Sequence, residues 1–279
     1  MKLMRFGLKG QEKPGVIIDG KTYDCSLLVD DWDGDTLSSI DKADILQQAT
    51  SGKLVQIGDT VRRGPCIARP PKLIGVGLNY LDHAQELSLT PPDEPLIFLK
   101  ANNITAGAFD DLYLPPHAKQ VDWEVELGIV IGQDAFNLDN LVAAQEAILG
   151  YTIVNDITDR HWQFDRQGQW TKGKSYPGFC TVGPWMSFKE DIQVDNLGLS
   201  LAVNNQPKQN SNTKQLIFTP VQLVHYISQY MALEPGDLIC TGTPGGIGYS
   251  STPQQFLHAG DIIIASIEQL GQQEQRCYS

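Results

Sequence analysis

The densest run of residues able to do chemistry is Val121-Asp122-Trp123-Glu124-Val125-Glu126-Leu127-Gly128, in which three acids alternate with apolar residues. Successive side chains of a β-strand point to opposite faces, so Asp122, Glu124 and Glu126 share one face and Trp123, Val125 and Leu127 the other. Three carboxylates on one face repel one another. A hard divalent cation such as Mg²⁺, held by two of them through oxygen, removes that repulsion. Alternating charge also describes a solvated antiparallel face, but residues 127–132 continue as an apolar run, which argues against water on that side.

Two further clusters occupy strand-to-helix junctions. Asn155-Asp156-Ile157-Thr158-Asp159-Arg160-His161-Trp162-Gln163 follows the apolar run 149–154. Asp156 is placed to add a third carboxylate, and Arg160 and Gln163 share a face of any helix that starts there. A metal beside a cation describes a site for an oxygen-rich anion, whereas Asp, Thr and Asp taken alone are equally a helix cap. In Gly77-Leu78-Asn79-Tyr80-Leu81-Asp82-His83-Ala84-Gln85-Glu86, a helix under way by His83 lets Glu86 accept a hydrogen bond from the imidazole. That orients the ring and raises its basicity, as a general base for water requires. An exposed His–Glu pair of little energetic weight is the simpler reading of those two residues by themselves. Thr171-Lys172-Gly173-Lys174-Ser175-Tyr176 sets two lysines among small residues, and the glycine-rich Cys240-Thr241-Gly242-Thr243-Pro244-Gly245-Gly246-Ile247-Gly248 offers backbone N–H groups to an anion. It has neither the P-loop lysine nor dinucleotide spacing, so nucleotide binding is disfavoured.

The elements that must position these residues are mostly short strands punctuated by Gly and Pro: 73–77, 96–100, 125–131, 149–154, 199–203, 238–241 and 262–267. That pattern predicts a β-sandwich, barrel or rolled sheet. Helices are expected over 138–149 and over 220–231, the latter with Thr219 as cap and Pro220 in its first turn. Residues 1–68 read as a small β-rich N-terminal domain, with strands at 15–19 and 21–24 and a helical part over 35–50. Arg69-Pro70-Pro71-Lys72 interrupts regular structure and marks the boundary to a catalytic domain over 69–279. The polar segments 88–95 and 204–213 are expected to be loops able to move over a site.

Composition narrows the function classes. With 21 Lys and Arg against 33 Asp and Glu the net charge is −12, the wrong sign for neutralising phosphates, so nucleic acid is not an expected partner. Apolar runs fall far short of the roughly 20 residues that cross a bilayer. The five cysteines are scattered without zinc-ligand spacing, and no secretory signal opens the chain, which predicts free thiols in a cytoplasmic protein.

Taken together, the motifs resemble those of the fumarylacetoacetate hydrolase family, particularly its FAH-domain-containing 2 and diketo-deoxy sugar acid hydrolase branch. The resemblance rests on Gly77-Leu78-Asn79-Tyr80 with His83 and Glu86, on residues 121–127, and on Asn155-Asp156 through Arg160 and Gln163. It continues through Gly173-Lys174-Ser175, Ser211-Asn212-Thr213 with Ile217-Phe218, and Leu233-Glu234-Pro235-Gly236-Asp237 running into Thr241-Gly242-Thr243-Pro244. It implies a mixed, β-rich α+β fold, a β-sandwich roll with a small N-terminal domain, and a homodimer. It further implies that Glu124, Glu126 and Asp156 hold Mg²⁺ or Mn²⁺, with Ca²⁺ as a substitute, leaving Asp122 a neighbour and not a ligand. His83 and Glu86 are the implied water-activating dyad, the loop after them a lid, and Arg160, Gln163, Lys174 and Thr243 the residues that hold a small anionic keto acid. The chain departs from the family pattern at Val76, where fumarylacetoacetate hydrolases place a further metal-binding Asp, at Thr158-Asp159-Arg160-His161 in place of Ser-Ala-Arg-Asp, and at Ala101 in place of Pro. Fumarylacetoacetate is therefore a doubtful substrate.

The implied chemistry is cleavage of a C–C bond in a 2-oxo or 2,4-dioxo acid, of acylpyruvate or diketo-deoxy sugar acid type, through a cation-stabilised enolate. Oxaloacetate decarboxylation and keto–enol tautomerisation draw on the same groups. A catalytically silent keto-acid or metal binder is the alternative from another class, and the presence of both His83 and Glu86 disfavours it.

Overall fold

The computed structural model describes residues 1–58 and 60–279. Its centre is Val125–Ile131, buried at all seven positions, which pairs antiparallel with Ile148–Asn155 on one side and Leu238–Cys240 on the other. A strand covered on both faces needs apolar residues throughout, and this one has them from Leu127 onward. Leu73–Gly77 adds parallel to Leu238–Cys240, and Leu96–Lys100 closes that edge antiparallel to Leu73–Gly77. At the other end Met186–Phe188 joins Ile148–Asn155 to Lys2–Phe6, so the N-terminal strands Lys13–Ile18, Lys21–Asp24 and Val55–Ile57 extend the same sheet. Trp32 fills the N-terminal part, fully buried, and its indole N–H lies 3.0 Å from the carbonyls of both Met4 and Gly15.

A second sheet packs over the central strands. It runs in the order Gln206–Asn212, Gly198–Val203, Ile262–Ile267, Gly271–Tyr278 and Leu112–Tyr113. Burial alternates along Gly198–Val203 and Ile262–Ile267, as it must when only one face meets another layer. Gln273 stitches the two layers: its buried amide donates to Ile153 O at 2.9 Å and to Gly183 O at 3.0 Å. The fold is the expected β-rich sandwich roll, with helices confined to connections.

Several elements differ from the sequence reading. The helix expected over 138–149 is Leu141–Ala147, because Asn140 caps it by accepting from Val142 and Ala143 N–H and Ile148 already belongs to the next strand. The 35–50 segment forms two helices, Gly34–Ser38 and Lys42–Thr50, each started by its own aspartate cap. Pro220–Ser228 is three residues shorter than expected and carries the capping box of Thr219 and Gln222. The segment 204–213 is a hairpin strand, Gln206–Asn212, and not a mobile loop: it pairs with Gly198–Val203 and buries Gln209.

Candidate active site

The strand carrying the acids is broken where its chemistry lies. Val121–Asp122 pairs with Thr158–Asp159, whereas Val125–Ile131 pairs with Ile148–Asn155, placing Val125 opposite Asn155. Across the break Asp156 N–H donates to Glu124 O at 2.8 Å and Glu124 N–H to Asn155 Oδ1 at 3.0 Å. This brings Glu124, Glu126 and Asp156 together, all buried, with one oxygen of each within 4.8 Å of the others. Asp122 does not join them. It accepts from Arg160 Nε at 2.8 Å and from the N–H groups of Gly248 and Tyr249 at 2.7 and 3.0 Å.

Three cations serve three of these four acids. Lys174 Nζ lies 2.5 Å from Glu124 and 2.7 Å from Asp156, Lys100 pairs with Asp156, and Arg160 Nη2 is 2.7 Å from Glu124. Burial opposes the charge on Glu124, but Lys174 and Arg160 outweigh it and hold the carboxyl at about 2. Glu126 is treated in the opposite way: burial, reinforced by Asp156 and Glu124, pushes its carboxyl well above the ordinary range. Among the described residues Glu126 has no ion-pair partner, and the hydrogen bond it accepts comes from Gly242 N–H at 2.7 Å. With all groups ionised the cluster carries 3 − 4 = −1. Three converging buried carboxylates, one of them without a cation, fit a hard divalent ion such as Mg²⁺, Mn²⁺ or Ca²⁺.

His83 sits on the short helix Leu81–Glu86, and its Nδ1 is 3.1 Å from Glu86 Oε2. Burial opposes ionisation of Glu86, yet hydrogen bonds from His83, Ser250 and Gly246 N–H together hold its carboxyl below the usual value. The glycine-rich turn does bind anions with its backbone, and the anions are the protein's own side chains. Gly242 N–H donates to Glu126, Gly246 N–H to Glu86 at 2.9 Å and Gly248 N–H to Asp122 at 2.7 Å. Gly246 has φ +100°, and a Cβ there would lie 2.0 Å from Lys208 O, so no larger residue fits the turn. Thr243 donates its hydroxyl to Val125 O at 3.0 Å and accepts from Gln209 Nε2 at 2.8 Å.

A cavity of about 240 Å³ unites the predicted residues. His83, Glu124, Glu126, Arg160, Gln163, Lys174 and Thr243 line it, while Glu86 and Asp156 stand behind, each bonded to one of those seven. Leu87 and Leu89, from the loop after His83, form part of its wall.

Residues 72–277 match the model of the fumarylacetoacetate (FAA) hydrolase C-terminal family. The chain belongs to the fumarylacetoacetate hydrolase family. A relative in Burkholderia multivorans, named "Putative hydrolase", is 41% identical over 278 residues, 99% of this chain and 98% of its own. Among solved structures, the fumarylacetoacetate hydrolase of the psychrophile Exiguobacterium antarcticum is 30% identical with a TM-score of 0.88, covering 100% of this chain and 99% of its own. A Mycobacterium abscessus structure, titled a probable 2-hydroxyhepta-2,4-diene-1,7-dioate isomerase, is 28% identical with a TM-score of 0.84, covering 100% and 98%. Hydrolase and isomerase titles thus occur at similar likeness, so membership of the family fixes the class of fold and leaves the reaction to the residues in the cavity.

In this member of the fumarylacetoacetate hydrolase family, sequence reasoning gave no site role to Lys100 or Gln209, and named Asn155 only as part of a motif. Lys100 ends an apolar strand, and it is buried against Asp156 and donates to Phe179 O at 2.7 Å. Gln209 lies in a wholly polar segment, and its amide bonds Val125 N–H, Thr243 and Pro244 O. A charged residue closing an otherwise apolar strand was the one available signal for Lys100.

Proposed function

We propose that this protein hydrolyses a C–C bond of a small 2,4-dioxo carboxylic acid with the help of Mg²⁺ or Mn²⁺. The observation that carries this reading is the convergence of the His83–Glu86 pair and the carboxylate cluster on one small cavity. Glu124, Glu126 and Asp156 would hold the cation, which when bound supplies Lewis-acid stabilisation of negative charge on the substrate's oxygens. Arg160, Gln163 and Lys174 orient the carboxylate and keto oxygens at the polar end. Glu86 accepts a hydrogen bond from the Nδ1–H of His83, which leaves Nε2 as the basic nitrogen to take a proton from water. The water oxygen bonds to the distal carbonyl carbon. As the bond to the adjacent methylene breaks, its electron pair goes to that carbon, which is then protonated from His83. The products are a carboxylic acid and a 2-oxo acid.

Keto–enol interconversion, or decarboxylation of oxaloacetate, is the second reading, and the isomerase title of the M. abscessus relative favours keeping it. Neither reaction needs an attacking water, and His83 held by Glu86 favours hydrolysis.

The test incubates purified protein with an acylpyruvate, a diketo-deoxy sugar acid and oxaloacetate, with Mn²⁺ or Mg²⁺ and again after chelation. Cleavage of a 2,4-dioxo acid that stops on chelation is the expected result. Loss of oxaloacetate alone shifts the assignment to a decarboxylase, and no turnover of any of the three overturns it. The cation is also expected to stabilise the fold: at a hundredfold excess over Kd it adds about 2.7 kcal/mol, a rise in Tm of roughly 5 °C by calorimetry. An unchanged Tm with Mn²⁺ and with Mg²⁺ contradicts the assignment of the carboxylate cluster.

A further inference from the structure

The cavity lining has two chemically different parts, one charged and one aromatic, and the second bears on which keto acid it takes. Beside the charged residues stands a continuous run of aromatic rings, all lining the cavity: Phe98, Trp170, Phe164 and Tyr249. Their centroids are 5.3 Å apart for Phe98 and Trp170, 5.9 Å for Trp170 and Phe164, and 5.3 Å for Phe164 and Tyr249, each pair tilted or edge-on. The run begins and ends at the polar site. Lys174 Nζ is 5.0 Å from the Phe98 centroid, and Arg160 Cζ is 5.9 Å from that of Tyr249. The backbone makes room for it: a Cβ on Gly77 would lie 2.6 Å from the Trp170 ring, so strand Leu73–Gly77 must end without a side chain there.

The same wall is short of positive charge. Among the described residues that line the cavity, the permanent cations are Arg160 and Lys174. Both are already engaged, Arg160 by Asp122, Glu124 and Gln163, and Lys174 by Glu124 and Asp156. A second carboxylate set against these rings would have no cationic partner there, which is unfavourable. An apolar ring there would gain burial and edge-to-face contacts.

We propose that the group beyond the keto-acid head of the substrate is uncharged, flat and apolar, an aryl ring being its best match, and is not a second carboxylate. The inference rests on the keto-acid reading above, because it takes the charged part as the head-binding part.

Isothermal titration of the Mn²⁺-loaded protein with pyruvate, phenylpyruvate and 2-oxoglutarate tests it without requiring turnover. Phenylpyruvate is expected to bind at least about tenfold tighter than pyruvate, and 2-oxoglutarate no tighter than pyruvate. Binding of 2-oxoglutarate as tight as phenylpyruvate overturns the inference and leaves the keto-acid reading intact. Failure of all three to bind removes the keto-acid reading and this inference with it. Two variants extend the test. Trp170→Leu is expected to lower the phenylpyruvate-to-pyruvate affinity ratio about fivefold or more. Phe164→Arg, at an exposed helix position, is expected to tighten 2-oxoglutarate and weaken phenylpyruvate. Unchanged affinities in both variants contradict the placement of the distal group on this wall.

Discussion

Replacing His83 with Ala is expected to lower kcat for 2,4-dioxo acid hydrolysis by about a thousandfold, within the range general-base catalysis contributes, while leaving Mn²⁺ affinity close to that of the wild type. The separation follows from geometry. His83 makes its hydrogen bond to Glu86, at 3.1 Å, and none to Glu124, Glu126 or Asp156. Glu86→Gln should have a smaller effect of the same kind, because Glu86 acts through the ring it orients and is itself held by Gly246 N–H. Rapid-mixing kinetics with one acylpyruvate, beside a Mn²⁺ titration of each variant, separates the two quantities. Unchanged turnover in His83→Ala, or loss of its Mn²⁺ binding, would sink the role given to the imidazole.

Two carboxylates of the same cluster should respond to substitution in opposite ways. Asp156 stands between two buried ammonium groups, Lys100 and Lys174. Asp156→Ala leaves Lys100 with a carbonyl as its remaining partner, and removing one member of a buried ion pair costs about 3–5 kcal/mol. That variant should unfold at much lower denaturant concentration or fail to accumulate. Among the described residues Glu126 has no ion-pair partner, so Glu126→Gln removes an unfavourable buried charge and keeps an oxygen to accept the Gly242 N–H. It should abolish cation-dependent stabilisation and turnover yet leave the metal-free fold as stable as the wild type or more so.

The pH dependence of the metal-free protein follows from the same shift. The folded-state value of Glu126 lies above the unfolded one, so the native state binds this proton more tightly, and stability declines as pH rises from about 4.5 through the raised value. Cation binding must expel the proton and should therefore tighten over the same range. Glu126→Gln should flatten that slope. An Asp156→Ala protein with unchanged Tm, or a Glu126→Gln protein with full Mn²⁺ affinity, would contradict the charge distribution described for the cluster.

How much of this could be read beforehand differs from element to element. Strands 73–77, 96–100, 125–131 and 262–267 were legible to the residue because each is an apolar run closed by Gly, Pro or a charged residue. Gln206–Asn212 and Gly271–Tyr278 were not, since their inward positions are Gln209, Gln273 and Gln275. Such positions look like solvent-facing ones until their partners, 34 to 167 residues away in the chain, are known. The acids, His83 and Arg160 announced themselves by residue type, and the two strand-to-helix junctions by apolar runs ending in polar ones. That Lys100 would be drawn into the same cluster depended on the pairing of Leu96–Lys100 with Leu73–Gly77, a contact between strands that no local pattern encodes.

The glycine-rich turn after Cys240 governs how the molecule opens to solvent. Its amides are spent on Glu126, Glu86 and Asp122, so the carboxyl partner of His83, the carboxylate cluster and the anchor of Arg160 are all tied to one stretch of irregular backbone. A loop of this composition ordinarily exchanges its amide hydrogens within seconds to minutes, by local fraying that leaves the rest of the fold intact. Here fraying would strand two buried acids, Glu126 and Asp122, at once. The amides of Gly242 and Gly248 should accordingly exchange as slowly as those of the central strands, and the turn should unfold with the core and not ahead of it.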